Sequence, residues 1–291
     1  MITDKRKPKI MENNSNDCKW IYYNHAAIYA DDPRNEVDTR MIDSGDIWKI
    51  PGKPILARWT TEFDCGYETN WWYVIKDNPL VIDDLKKKRR YEIKKGLKNF
   101  EVKQINPFDY KEDIYNVFIK AQQSYGKKNQ ILTAKEEFTK KMEKWDKYIV
   151  YGAFFLEDNT LCGYSLLEQN GQYLGLNVLK TIPDYEKYAI NSAIVAQILF
   201  DYEDYIKSGG YICDGARNIN HETFFQDYLE KYFEFRKAYC KLQIAYNPKY
   251  KIIIKILYPF RKLLRKLDNV RVIHNINGVM KMEEIKRSTN E

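Results

Sequence analysis

From Leu85 onward the apolar positions fall at helical spacing: Leu85, Ile93, Leu97 and Phe100 share a stripe, preceded by Ile82, while lysines and arginines fill the remaining surface. The pattern predicts a basic helix with Arg89 on its apolar side, four residues from both Leu85 and Ile93. A guanidinium there needs a partner or an opening to solvent. A short strand at Val102–Ile105 follows, then a helix from Pro107 to Tyr125 with the proline in its first turn. Thr133 and Glu136 have the spacing of a capping box for a helix running to Trp145. The period then switches to strands at Tyr148–Leu156, Leu161–Glu168 and Tyr173–Leu179, with turn residues at Glu157-Asp158-Asn159 and Asn170-Gly171. A long helix is predicted over Tyr185–Lys207, closed by Gly209-Gly210. Next come a strand at Tyr211–Asp214, a helix at Glu222–Tyr232 and a strand at Tyr239–Tyr246. A basic helix at Tyr250–Leu267, interrupted at Pro259, closes the pattern, and residues 268–291 are expected to fray.

Upstream, residues 1–17 are polar and charged and read as a disordered lead-in. Residues 18–79 hold five of the six tryptophans among short alternating pieces such as Trp20–Tyr23 and Ile55–Trp59, which predicts a small β-rich extension. The expected organisation is therefore that extension, one α/β domain over 80–268 and a tail over 269–291. Its element order gives a mixed (α+β) sheet with helices on both faces.

Composition narrows the class. A hydrophobic fraction of 44% with 31% charged residues is that of a folded chain. Five cysteines without a CxxC pair argue against a disulfide framework or zinc module, so no metal is expected and a cytoplasmic setting is the simpler expectation. The first residues lack an apolar signal-peptide core, and the longest apolar run, Ile252–Phe260, is broken by Lys255 and falls well below the ~20 residues that span a bilayer. The net charge of +7 is mild but locally concentrated.

Three stretches carry a resemblance to a known family. They are Arg90-Tyr91-Glu92-Ile93-Lys94-Lys95-Gly96-Leu97-Lys98 ahead of a strand, Leu179 to Leu199 with Asp184-Tyr185 leading into the long helix, and Tyr211-Ile212-Cys213-Asp214-Gly215 followed by Tyr228-Leu229-Glu230-Lys231-Tyr232 and Phe235-Arg236. Together with the element order they resemble the GNAT acyltransferase fold in its FemAB-like branch, over roughly residues 80–247. The resemblance implies an acyltransferase that moves an acyl or aminoacyl group from acyl-CoA or aminoacyl-tRNA to an amine, on a cell-envelope or polysaccharide precursor. It also implies a phosphate cradle at the start of the long helix. Leu179, Asn191 and Ser192 occupy that place here, with no glycine in Tyr188–Ala193. The tyrosine that precedes an "E-K" pair in the family is displaced, since Leu229 precedes Glu230-Lys231 and Tyr228 stands one position earlier.

Amine acylation needs a base, an oxyanion donor and an acid for the leaving group. Asp214 and His221 bound a polar loop after a predicted strand, where α/β sheets place their sites; Asp214 as a loop cap is the alternative. Arg217 is either an anion clamp or a surface ion-pair former. Glu168 is a candidate base or a plain strand-end carboxylate, and Tyr228 a candidate acid or a packing residue. Lys86–Lys98 carries eight Lys/Arg against one Glu, Arg90 among them: a solvated face, or a dock for the phosphates of a cofactor or tRNA. The 250–267 helix sets Lys251, Lys255, Lys262 and Lys266 beside an apolar body, suited to peripheral contact with an anionic membrane or to packing on the sheet. Two other readings stay open: a non-catalytic binding protein on a degenerate acyltransferase fold, and an RNA-binding factor acting through residues 86–98.

Overall fold

The computed structural model describes residues 19–125, 133–219 and 224–290. In chain order its strands are β1 (Trp20–Tyr23), β2 (Ala26–Tyr29), β3 (Leu56–Thr61), β4 (Trp71–Lys76), β5 (Phe100–Gln104), β6 (Ile149–Phe155), β7 (Leu161–Asn170), β8 (Tyr173–Thr181), β9 (Tyr211–Ala216) and β10 (Arg236–Tyr246). The helices are α1 (Arg40–Asp43), α2 (Lys87–Asn99), α3 (Lys111–Gln123), α4 (Lys135–Met142), α5 (Ile190–Asp201), α6 (Glu203–Lys207), α7 (Phe224–Phe233), α8 (Pro248–Leu257), α9 (Arg261–Leu264) and α10 (Arg271–Asn290). The fold is mixed α/β. The chain divides into two compact units: Ile75–Gly215 with Tyr228–Phe235, and Asn14–Val74 with Ala216–Asp227 and Arg236–Glu291.

In the first unit the strands run in the order β9-β8-β7-β6-β5. All neighbours are antiparallel except β8 and β9, which are parallel. The alternation of β7 sorts its side chains onto two faces. Tyr164 and Leu166 pack with Ile114 and Val117 of α3 and Phe138 and Met142 of α4. On the other face a methyl group on Gly163 would touch Ile190 and Ile194 of α5. The predicted turns form where expected, with Asn159 at φ 59° and Gly171 at φ 61°. Asn106 caps the turn at Pro107 by accepting from the Phe108 N–H.

Two predicted helix starts move. The capping box at Thr133 does not form: Ala134 stands at the N-cap without a side-chain cap bond, and Thr133 is buried, its carbonyl accepting from the Tyr115 hydroxyl. The long helix begins at Ile190 rather than Tyr185, because Pro183–Tyr188 closes a separate 3-10 turn and Ala189 takes a left-handed conformation at φ 65°. It also breaks at Tyr202, ahead of α6.

The second unit corrects the boundaries more deeply. Its strand order is β1-β2-β3-β10-β4, so the tryptophan-rich segment shares a sheet with β10, and the unit takes in the chain after Arg236. The tail expected to fray is helical over residues 271–290. They form the 20-residue α10, packed on β10, with Met280 and Ile285 buried, Tyr246 donating to Glu283 at 2.7 Å and Lys286 to the Ile244 carbonyl at 2.9 Å. Short-range periodicity could not show this, since α10's apolar residues meet a strand some 40 positions upstream. The 250–267 helix is found as α8 and α9 joined by 3-10 turns at Tyr258–Phe260 and Arg265–Leu267, the first at Pro259.

One buried charge stands out in the first unit. Lys76, the last residue of β4, is fully buried and its Nζ bonds to no described group. Burial pushes its pKa below the ordinary lysine value of 10.5, opposed in part by Glu234 and Asp77. The unfolded chain therefore holds a proton that the folded chain has shed between the two values, so stability rises with pH through that window. Lys76→Met should remove this slope and raise stability at neutral pH by about 1–3 kcal/mol, read from urea melts between pH 7 and 10. A variant that keeps the slope would assign it to another group.

Candidate active site

The parallel pairing of β8 with β9 is short. Tyr173, Leu174 and Gly175 pair with Tyr211, Ile212 and Cys213, after which the two strands continue without pairing to each other. At the same point the register of β7 and β8 shifts. Leu166 faces Val178 and Leu167 faces Leu176, which leaves Asn177 as a bulge. Loss of pairing on one side and a bulge on the other free backbone groups of β8 from the sheet, just where it opens. Such groups are available as donors to an oxyanion.

Glu168 of β7 lies opposite Gly175, on the α3/α4 face. Its carboxylate accepts from Lys147 Nζ at 2.6 Å and from Asn177 Nδ2 at 2.7 Å. Burial is the largest influence on Lys147 and by itself would lower its pKa, but Glu168 and Tyr148 together outweigh it and leave the ammonium above its ordinary value. Gly175 lets the Asn177 side chain lie close to the backbone of this row, since a methyl group there would stand 2.9 Å from Asn177 Oδ1 and push that side chain aside. Asp214 is half-buried, one residue past the last β9 pair.

The start of α5 gathers the residues expected at the phosphate cradle. Asn191 Oδ1 accepts from the Thr181 hydroxyl at 3.1 Å, and Ser192 Oγ and Tyr228 OH lie 2.7 Å apart. Burial drives the Tyr228 pKa far above the ordinary tyrosine value, only partly offset by Ser192, so the hydroxyl keeps its proton. Leu179 stands two residues before Thr181 on the same face of β8, opposite Ser165. Helix α2 lies against the first turn of α5 so closely that a Cβ on Gly96 would stand 2.5 Å from the Ala189 carbonyl oxygen and 2.9 Å from the Ala193 nitrogen. The Asn191 carbonyl oxygen and the Ser192 hydroxyl are thus already bonded, and one flank of the turn is covered.

The remaining candidates disperse. Arg90 donates to the Asp83 carbonyl at 2.9 Å and half-fills a cluster in which Lys94 lies 3.7 Å from the Asp83 carboxylate. Arg217 belongs to the second unit, where it donates to the Asn70 carbonyl at 2.7 Å and lies over the Trp72 ring at 4.3 Å. Burial lowers its pKa, and this placement turns it to protein groups rather than to an anion. His221 lies outside the described residues. Among the described residues no group of three His, Cys, Asp or Glu could hold a metal ion. An apolar cavity of about 260 Å³ in the second unit, between α8 and α10, contains none of these candidates.

Sequence reasoning missed Lys147, Asn177, Thr181 and Gly96. Asn177 had a signal, as a polar residue inside the apolar run Leu174–Leu179, and Gly96 had another, as a glycine inside a helical pattern.

No protein-family pattern and no curated protein matches the sequence. Solved structures do. The crystal structure of FemX superposes with a TM-score of 0.50 at 9% identity, over 78% of this chain and 83% of that one. The chain has a FemAB-type GNAT fold. The structure of L-PGS from Bacillus licheniformis matches with a TM-score of 0.48 at 11% identity, over 82% of this chain and 83% of that one. Within the FemAB-type frame α3 and α4 cover one face of the sheet and α5 the other, and β8 departs from β9 after Gly175.

Proposed function

We propose that the protein is an aminoacyltransferase that moves an aminoacyl group from tRNA to an amine on a cell-envelope precursor. The observation that carries this reading is the parting of β8 from β9 beside the Asn177 bulge, with a carboxylate one strand away. The opening exposes backbone donors to a developing oxyanion, and Glu168 is the nearest base for the attacking amine. Direct attack on the ester needs no covalent enzyme intermediate. The amine nitrogen bonds to the carbonyl carbon, Glu168 takes the proton shed by the amine, and as the ester C–O bond breaks that same proton passes to the departing ribose oxygen.

Two observations favour tRNA over acyl-CoA as donor. Asn191 and Ser192 are engaged by Thr181 and Tyr228, and Gly96 covers one flank of the α5 turn. On its outer side α2 presents Lys87, Tyr91, Lys94 and Lys98 at successive helical turns, all exposed, which joins ammonium groups to a stacking surface for nucleic acid.

The test is binding and transfer with charged tRNA and a parallel acyl-CoA panel, using an amine acceptor. Lys87→Glu with Lys98→Glu should weaken tRNA binding at least about tenfold and reduce the salt slope by about one for each lysine. Transfer from acyl-CoA alone would reassign the donor. Silence toward both donors with folded protein would leave the non-catalytic reading.

A further inference from the structure

The helical rod from Pro248 to Leu267, roughly 30 Å long at the rise of an α-helix, is apolar on two opposite sides. Ile254 is buried and Leu257, Tyr258 and Leu264 are half-buried, which accounts for the inward side. On the outward side Ile252, Ile256, Phe260, Leu263 and Leu267 recur every three or four residues, and each is between 47% and 68% exposed. Single exposed apolar residues are ordinary on a protein surface, whereas five in one line form a face that water does not favour.

The charges beside this line decide what covers it. Residues 248–267 carry seven Lys/Arg and no Asp or Glu. Arg261 and Arg265 share the carboxylate of Glu284. Lys251, Lys255, Lys262 and Lys266 are exposed and each immediately precedes a residue of the apolar line (Ile252, Ile256, Leu263 and Leu267). The ammonium groups therefore run along one edge of the stripe, as in a helix lying at a bilayer interface, where long side chains reach phosphates while the apolar face sinks between headgroups. A second copy of the chain is a poor occupant, because a two-fold contact on this self-same patch, which has no Asp or Glu, would offer the lysines no opposite charge.

We infer that the Pro248–Leu267 face docks on an anionic phospholipid surface. The inference does not rest on the transferase reading, and its test uses no substrate. Full-length protein should co-sediment with vesicles of phosphatidylcholine containing phosphatidylglycerol, more weakly as salt rises, and little with phosphatidylcholine alone. Ile256→Glu with Leu263→Glu should abolish this binding. Replacing Lys251, Lys255, Lys262 and Lys266 with glutamine should weaken it nearly three orders of magnitude, at roughly fivefold per lysine. Unchanged thermal melts and unchanged far-UV circular dichroism would show that the variants fold. In Phe260→Trp, vesicles should shift the indole emission to the blue. Vesicle binding that survives Ile256→Glu/Leu263→Glu would overturn the inference. So would a concentration-dependent dimer in sedimentation velocity that those substitutions dissolve, since it would assign the face to a second copy.

Discussion

Gly96→Ala is expected to destabilise the protein, although the same change in an exposed helix stabilises. Alanine gains about 1 kcal/mol over glycine from helix propensity. Against this, the new methyl carbon would stand 2.5 Å from the Ala189 carbonyl oxygen, 2.9 Å from the Ala193 nitrogen and 3.1 Å from the Ala193 Cβ. Two of those three atoms are backbone at the first turn of α5 and cannot swing away, so either α2 or α5 must shift. Overpacking of this kind costs ~1–3 kcal/mol, and more where the neighbour is main chain. A net loss of about 2 kcal/mol is expected, with a lower urea midpoint at unchanged slope. Gly96→Val should cost more. Stabilisation by Gly96→Ala would show that α2 and α5 do not approach as described, and would remove the steric argument against a pyrophosphate at that turn.

This packing also marks how far the sequence could be read. The strand–turn pattern from Tyr148 to Leu179 was legible because each strand is bounded by its own turn residues, and local chemistry sets a hairpin. The parting of β8 and β9 was not legible. It depends on a parallel pairing between segments separated by a helix, and nothing in Tyr173–Thr181 says where that pairing stops. Likewise Asn191 and Ser192 could be placed at the start of a helix from sequence alone, while their engagement by Thr181 and Tyr228 required the third dimension. The tail was misread for the same reason. The α10 pattern is weakly amphipathic by itself, and its partner is β10.

Glu168→Gln is expected to lower kcat for aminoacyl transfer by about 10²–10³, the range supplied by a positioned general base. Glutamine keeps the shape and the Asn177 contact but cannot take the amine's proton. Glu168 can serve because Lys147 and Asn177 occupy only part of its acceptor capacity: two bonds are made, and lone pairs remain for a substrate N–H. The competing account is a strand-end ion pair with no chemical task. Lys147→Met separates the two. In the ion-pair account Glu168→Gln and Lys147→Met break the same half-exposed bridge, so each should cost at most about 1 kcal/mol of stability and leave kcat within a few fold. In the base account Glu168→Gln alone lowers kcat by that large factor, while Lys147→Met leaves kcat within a few fold, because the carboxylate that takes the proton is still present. Equal small effects from the two substitutions would return Glu168 to a structural part and move the search for the base to Asp214, the next carboxylate along the opening.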